Sequence, residues 1–508
     1  MTSLESARAC DWVVVALLFI AGLLLTAQLE NGYLWQDEAE TALLARNVLR
    51  FGYPRASDGR NAIDLPHFGY GPGEAWIYSP WLPFYFLAGM FALAGQSTWA
   101  ARLPFALAGW LSIYLTWRLA RLLTDRAGVQ RLSVALLTGS VPFLLHMRQC
   151  RYYALTTALL LGVCLAYLRF LTRRSLSRAL GIGALMALLF HTNFGVFLPV
   201  GVSLGAHQFL RGDRVSRRHL LSAAGLVGAL TLPWALAFYR SAFIGTVTLG
   251  RLYRHLEYYV RITNTYLLPL AFMGAVSCLA MLLRRGKTAR RPVWSSEMAD
   301  GYRFLVILVV AYAGFLLIPD QRHMRYLIPL LPVLAIGEAG WLIRWFGRRR
   351  WLCGTVAALA VGTNLLQSVH PRVPMLDVID ELTHRYEGPM EGVVRYLRAH
   401  GKPDELVKIP YDDRTVMFYT DLRVERPSDF LRETDPDWVV LRRPWIPASF
   451  FESPSFRRIE AHYERIELDA PDILWQNRED PGSHHFRTVR GAPRVVLYHK
   501  RDLGHAES

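Results

Sequence analysis

With 508 residues, 52% of them hydrophobic and 12% aromatic, and a positive mean hydropathy, the chain is not one soluble domain; this composition defines a polytopic membrane protein. The formal charge of +16 would point to nucleic acid in a soluble protein. Here the basic residues sit beside apolar segments, where they set topology, so no nucleic-acid partner is expected. Cys10, Cys150, Cys164, Cys278 and Cys353 show no CxxC spacing, which gives neither a zinc site nor a disulfide framework.

Trp12 to Leu29 reads as a retained first span, because little positive charge precedes it and no small-residue cleavage site follows. The next stretch, Leu34 to Gly52, opens with Gln36-Asp37-Glu38 and continues with Ala39, Ala42, Leu43, Ala45, Arg46 and Leu49 at helical spacing. It predicts a short helix at the membrane border, stopped by Gly52. Two adjacent carboxylates at its start serve either as helix-capping acids or as a functional pair.

Apolar segments of spanning length then recur at 103–120, 131–146, 154–171, 178–192, 194–210, 219–239, 263–283, 302–319, 326–345 and 351–369, eleven with the first. Basic clusters fall in alternate loops: Arg118, Arg121, Arg126 and Arg131; Arg169, Arg173, Arg174 and Arg178; Arg211, Arg214, Arg217 and Arg218; Arg284, Arg285, Lys287, Arg290 and Arg291; and Arg344, Arg348, Arg349 and Arg350. The positive-inside rule puts all five on the cytoplasmic side. The N-terminus is then inside, while the loop at 30–80 and everything after His370 are outside. Trp81 to Gly95, short and entered through Pro80 and Pro83, fits an amphipathic or partly embedded helix on the outer face.

Polar groups gather in the outward turns, close to span ends, where ionisable residues define a site by default. Arg148 and Arg151 lie three apart in His146-Met147-Arg148-Gln149-Cys150-Arg151-Tyr152-Tyr153. On a helical end they share a face and could fork onto one phosphate; ordinary interfacial anchoring is the alternative. Asp320-Gln321-Arg322-His323-Met324-Arg325-Tyr326 is a second basic exception on that side. Arg251, Arg254, His255 and Glu257, among Tyr253, Tyr258 and Tyr259, read as an aromatic cover or as a solvated amphipathic helix. The short turn His191-Thr192-Asn193 adds His191, and Gly69-Tyr70-Gly71-Pro72-Gly73-Glu74 either cradles a ligand or simply turns.

Taken together, Asp37-Glu38 after the first span, Tyr78-Ser79-Pro80, Arg102-Leu103-Pro104, the Arg148-x-x-Arg151-Tyr152 turn and Arg325-Tyr326-Leu327-x-Pro329 resemble the GT-C glycosyltransferases. Within that group the chain is similar to the protein O-mannosyltransferase and aminoarabinose (lipid A) transferase relatives, over about residues 12 to 370. The resemblance implies a multi-pass enzyme of a bacterial cytoplasmic membrane. It would take a sugar from a polyprenyl-phosphate donor and pass it to a hydroxyl of a glycolipid, glycan or protein at the extracytoplasmic face, with inversion. Asp37 would be the general base, Glu38 its assistant, and Arg148, Arg151, Arg322 and Arg325 the cations on the donor phosphate. Glu74, Tyr70, Tyr152, Tyr153, His191 and His255 are candidates for lining the donor or acceptor pocket. In the aminoarabinose-transferase branch an acid stands near the start of the fourth span, where this chain has Tyr152 and Tyr153, so no metal site is assigned. Asp37, Glu38 and Glu74 could still hold a divalent cation such as magnesium or manganese.

Pro371, Pro374, Gly388 and Pro389 mark a change of composition. Residues 1–370 read as the transmembrane catalytic domain and 371–508 as an extracytoplasmic α/β domain. Met390 to Ala399 predicts an amphipathic helix, and Glu405 to Ile409, Thr415 to Tyr419, Trp438 to Leu441 and Arg494 to Tyr498 predict strands. A transporter, a lipid-binding membrane protein or a polymerase or ligase of lipid-linked glycans would suit the same spans. The first is disfavoured by the lack of an inverted repeat, and the last by acids carried in the early loop.

Overall fold

A computed structural model describes residues 11–64, 69–211, 215–238, 246–283, 296–367, 372–385, 387–425, 430, 434–474 and 491–501. The basic cluster from Arg284 to Arg291, Arg214, Arg240, His370 and Pro371 lie outside these. The chain opens with α1 (Trp12–Thr26) and α2 (Gln36–Phe51). Gly52 closes α2 at φ 81°, a left-handed cap that glycine adopts without strain. After α3 (Leu82–Ala94) comes the long α4 (Thr98–Leu123), capped by the Ser97 side chain on the Ala100 amide. Of the two expected forms, amphipathic or partly embedded, the first is set aside for α3, which carries no charged residue and is apolar on every face.

Next come α5 (Ala127–Gly139) and α6 (Val141–Met147), bent by 64° at Ser140, where Pro142 cannot continue the preceding hydrogen-bond ladder. They are followed by α7 (Tyr153–Thr172), α8 (Leu176–Thr192), α9 (Phe194–Leu210) and α10 (Arg217–Phe238). The stretch with Arg251, His255 and three tyrosines is a helix, α11 (Leu249–Ile262), which continues through a wide turn into α12 (Leu270–Leu283) at 87°. Then α13 (Ser296–Leu316), α14 (Leu331–Phe346), entered through a 3-10 turn at Met324–Leu330, and α15 (Arg350–Gly362) complete the apolar set. The protein is a multi-pass membrane protein. Among the described residues, four helical stretches are long and apolar enough to cross alone, up to six if each bent pair is one span, and five shorter apolar helices accompany them.

The C-terminal region carries α16 (Pro374–Thr383), α17 (Pro389–His400), β1 (Leu406–Lys408), α18 (Asp413–Tyr419), β2 (Arg423–Val424), β3 (Trp438–Leu441), α19 (Pro454–His462), β4 (Tyr463–Pro471) and β5 (Arg494–Lys500). Its sheet has the order β2-β1-β3-β5-β4, parallel on the β2-β1-β3 side and antiparallel beyond. Val439 and Leu441 face one small cluster with Val496 and Tyr498, whereas Trp438 and Val440 face the other side with Leu497, as the two-residue period of a strand requires. Thr415 to Tyr419 is a correction. It is helix, because its apolar residues are buried on the start of α2 instead of in the sheet.

That second side of the sheet belongs to the same apolar cluster as α1, α2 and α4: Leu25, Leu34, Ala39, Ala101, Val393, Val407 and Leu497 are all fully or nearly fully buried in it. A separate cluster fills the space among α4, α7, α8, α9 and α13.

Candidate active site

Arg102 of α4, the turn between α6 and α7, the entry to α14 and the start of α18 all meet the first turn of α2. Asp37 stands there with a fifth of its side chain exposed. Its Oδ2 accepts from Arg325 Nη1 at 3.1 Å and lies 3.3 Å from Arg151 Nη2, while Arg151 Nη1 also donates to the Asp37 carbonyl at 2.9 Å. One turn further along α2, Glu40 is shared by Arg151, at 3.5 Å, and Arg414 of α18. Burial alone would raise the Asp37 carboxyl, but the charges of Arg151, Arg325 and Arg414 outweigh it and hold Asp37 below the usual carboxylate value. Tyr78 and Tyr411 lie within electrostatic reach; burial, then neighbouring acids including Asp37, pushes both phenols up. Arg151, Arg325 and Arg414 thus stand among Asp37 and Glu40, with the Asp413 carboxylate also acting on Arg414.

Glu38 has a different place. It is wholly buried, and both its oxygens accept from Arg102, Nε to Oε1 at 3.0 Å and Nη2 to Oε2 at 2.7 Å, with a third bond from the Cys150 amide at 2.8 Å. Arg102 spends its remaining hydrogens on the carbonyls of Leu29, Asn31, Gly32 and Tyr33. This pair ties α4 to the turn between α1 and α2, so Glu38 is enclosed by protein partners and fixes the start of α2 on which Asp37 stands.

Arg148 and Arg151 do not share a phosphate-facing side. Their turn is not helical, and Arg148 points back to cap the end of α1 through the carbonyls of Leu24 and Ala27, each at 2.8 Å, with Glu381 at 3.4 Å. Only Arg151 and Arg325 of the four expected cations reach Asp37. Arg322 turns instead to α11, donating to the Arg254 carbonyl and covering the Tyr258 ring.

Of the expected pocket residues, Tyr152 lies under the Arg151 guanidinium and against Tyr153, so both belong to the site. Glu74 is held by Arg55 at 2.7 Å, and Tyr70 donates to the Ile63 carbonyl. His191 reaches the Leu230 carbonyl and the Trp234 ring, and His255 is buried on α11. None of these four makes a contact with Asp37. The suggested cation site is likewise not assembled, because Asp37, Glu38 and Glu74 are committed to different arginines. Among the described residues no group of three His, Cys, Asp or Glu side chains could hold an ion. Glu40, Arg414 and Tyr411 were missed by sequence reasoning; the only signal was that Glu40 follows Asp37 by one helical turn.

This arrangement of helices is the GT-C glycosyltransferase fold. Residues 78–237 match the model of the dolichyl-phosphate-mannose-protein mannosyltransferase family. Among solved structures, ArnT from Cupriavidus metallidurans bound to undecaprenyl phosphate is similar with a TM-score of 0.58 at 14% identity, covering 96% of this chain and 98% of that one. The same protein in the apo state gives 0.58 at 15%, covering 97% and 98%. No curated protein matches the chain in sequence.

Proposed function

We propose that this protein is a membrane glycosyltransferase that takes a sugar from a polyprenyl-phosphate donor and passes it to a hydroxyl acceptor at the extracytoplasmic face. The observation that carries this reading is the partly open Asp37 carboxylate held between Arg151 and Arg325, which come from two other turns of the bundle. A phosphodiester donor bears one negative charge, and Arg151, Arg325 and Arg414, the three cations acting on Asp37, are there to meet it. The buried Nε atoms of Arg151 and Arg414 have no acceptor among the described residues, a demand that an entering phosphate oxygen meets. The likeness to an undecaprenyl-phosphate-bound ArnT supports a lipid-linked donor.

In this reading the donor phosphate competes for Arg151 and Arg325 and frees Asp37 to take the proton of the acceptor hydroxyl. The hydroxyl oxygen attacks the anomeric carbon, the bond to the phosphate oxygen breaks with inversion, and the guanidiniums stabilise the polyprenyl phosphate that leaves. Glu38 orients Asp37 through Arg102 without touching either substrate. Asp37→Asn should abolish transfer, read by mass spectrometry of surface glycolipids and glycoproteins in a complemented deletion strain. It should leave undecaprenyl phosphate binding largely intact in purified protein; near-normal transfer by that variant would remove the base.

A further inference from the structure

The start of α2 is built as much by the C-terminal region as by the membrane helices. Gln36 bonds to both ends of the Asp413–Arg414 step, through the Asp413 carboxylate and the Arg414 amide. Thr415 donates to the Leu34 carbonyl at 2.9 Å, the Leu34 amide donates to the Tyr419 hydroxyl at 3.1 Å, and the rings of Tyr33 and Tyr419 stack at 4.1 Å. Behind α18, fully buried Arg442 at the end of β3 grips Asp412 at 2.7 Å and Asp472 at 2.9 Å. This chain of contacts runs from the sheet to Arg414, whose side chain reaches Glu40 and the Asp64 carbonyl.

We infer that Arg414 is a positioning residue of the Asp37 site, so that the C-terminal region is a working part of the reaction centre: it anchors Glu40 and adds a third positive charge beside the base. This rests on the function proposed above only for what the base does; the placement is a matter of geometry. The groups around Asp37 are Arg151 from the α6–α7 turn, Arg325 from the entry to α14, Glu40 on α2 itself, Tyr78 before α3, Tyr152 before α7, and Tyr411 and Arg414 from the C-terminal region. Without Arg414 one cation is lost and Glu40 is left to compete with Asp37 for Arg151. Both changes disfavour the ionised carboxylate, so its pKa must rise.

The test is the pH dependence of carbodiimide coupling of glycinamide to Asp37, which requires the protonated carboxyl, on the full-length protein in lipid nanodiscs, read by peptide mass spectrometry. Arg414→Gln should move the midpoint to higher pH and speed labelling several-fold on the flank, whereas Arg414→Lys should titrate as the parent does. An unchanged midpoint in Arg414→Gln, or an equal shift in both variants, overturns the inference. Should Arg414→Gln misfold, Glu40→Gln/Arg414→Gln leaves no lone buried carboxylate at that contact and is compared with Glu40→Gln. A higher midpoint in the double variant supports the role, and identical midpoints refute it. No sugar donor enters this assay, so loss of the glycosyltransferase reading would show in the Asp37→Asn experiment and leave these outcomes distinct.

Discussion

Adjacent carboxylates meet opposite fates at the head of α2. Successive residues on a helix point about 100° apart, so when Asp37 looks toward Arg151 and Arg325, Glu38 turns into the protein and finds Arg102. A buried acid is tolerable only with its oxygens filled, and Glu38 has three bonds. Glu38→Ala would leave the Arg102 guanidinium buried without its carboxylate, a loss of about 3–5 kcal/mol. It should appear as a lowered melting temperature in detergent, whereas Asp37→Asn should melt close to the parent. A Glu38→Ala protein of parental stability with no transfer would return Glu38 to the chemistry.

Among the elements, the α6–α7 turn does the most with the fewest residues. Arg148 caps α1, the Cys150 amide holds Glu38 and Arg151 bridges Asp37 and Glu40. Its height is set by the packing of α6 on α4, where a Cβ at Gly109 would stand 2.5 Å from the Cβ of Met147. Gly109→Ala must therefore push Met147, and with it the neighbouring Arg148. Overpacking of this kind costs about 1–3 kcal/mol. The variant should lose both melting temperature and transfer, and Gly109→Ala/Met147→Ala should recover part of each. Transfer unaffected by the single variant would show that the turn does not depend on that contact.

At the scale of the molecule, one apolar cluster runs from the first spans into the sheet, so the membrane part and the C-terminal region are not energetically separate. Deleting residues 371–508 would uncover Leu34, Ala39 and their neighbours, strip Tyr33 and Leu34 of the Glu391, Thr415 and Tyr419 contacts, and strip α2 of the bonds from Gln36 and Glu40 to Asp413 and Arg414. The truncated chain should therefore be digested at 30–64 by protease far faster than the full one. Equal resistance would mean that the shared cluster adds nothing to the stability of the α2 region.

The sequence by itself determined the membrane class, the helix that follows the first span and the two acids at its start, because apolar length, helical spacing and charge at a span end are local properties. It also flagged Arg151 and Arg325, as basic residues on the side where the positive-inside rule expects few. It could not separate Arg151 from Arg148, since spacing assumes a regular helix and the turn between α6 and α7 is irregular. Nor could it find Arg414, carried more than 370 residues beyond Asp37. Which arginine meets which acid is decided by how distant segments pack, and a guanidinium a few ångströms from a carboxylate leaves no pattern along the chain.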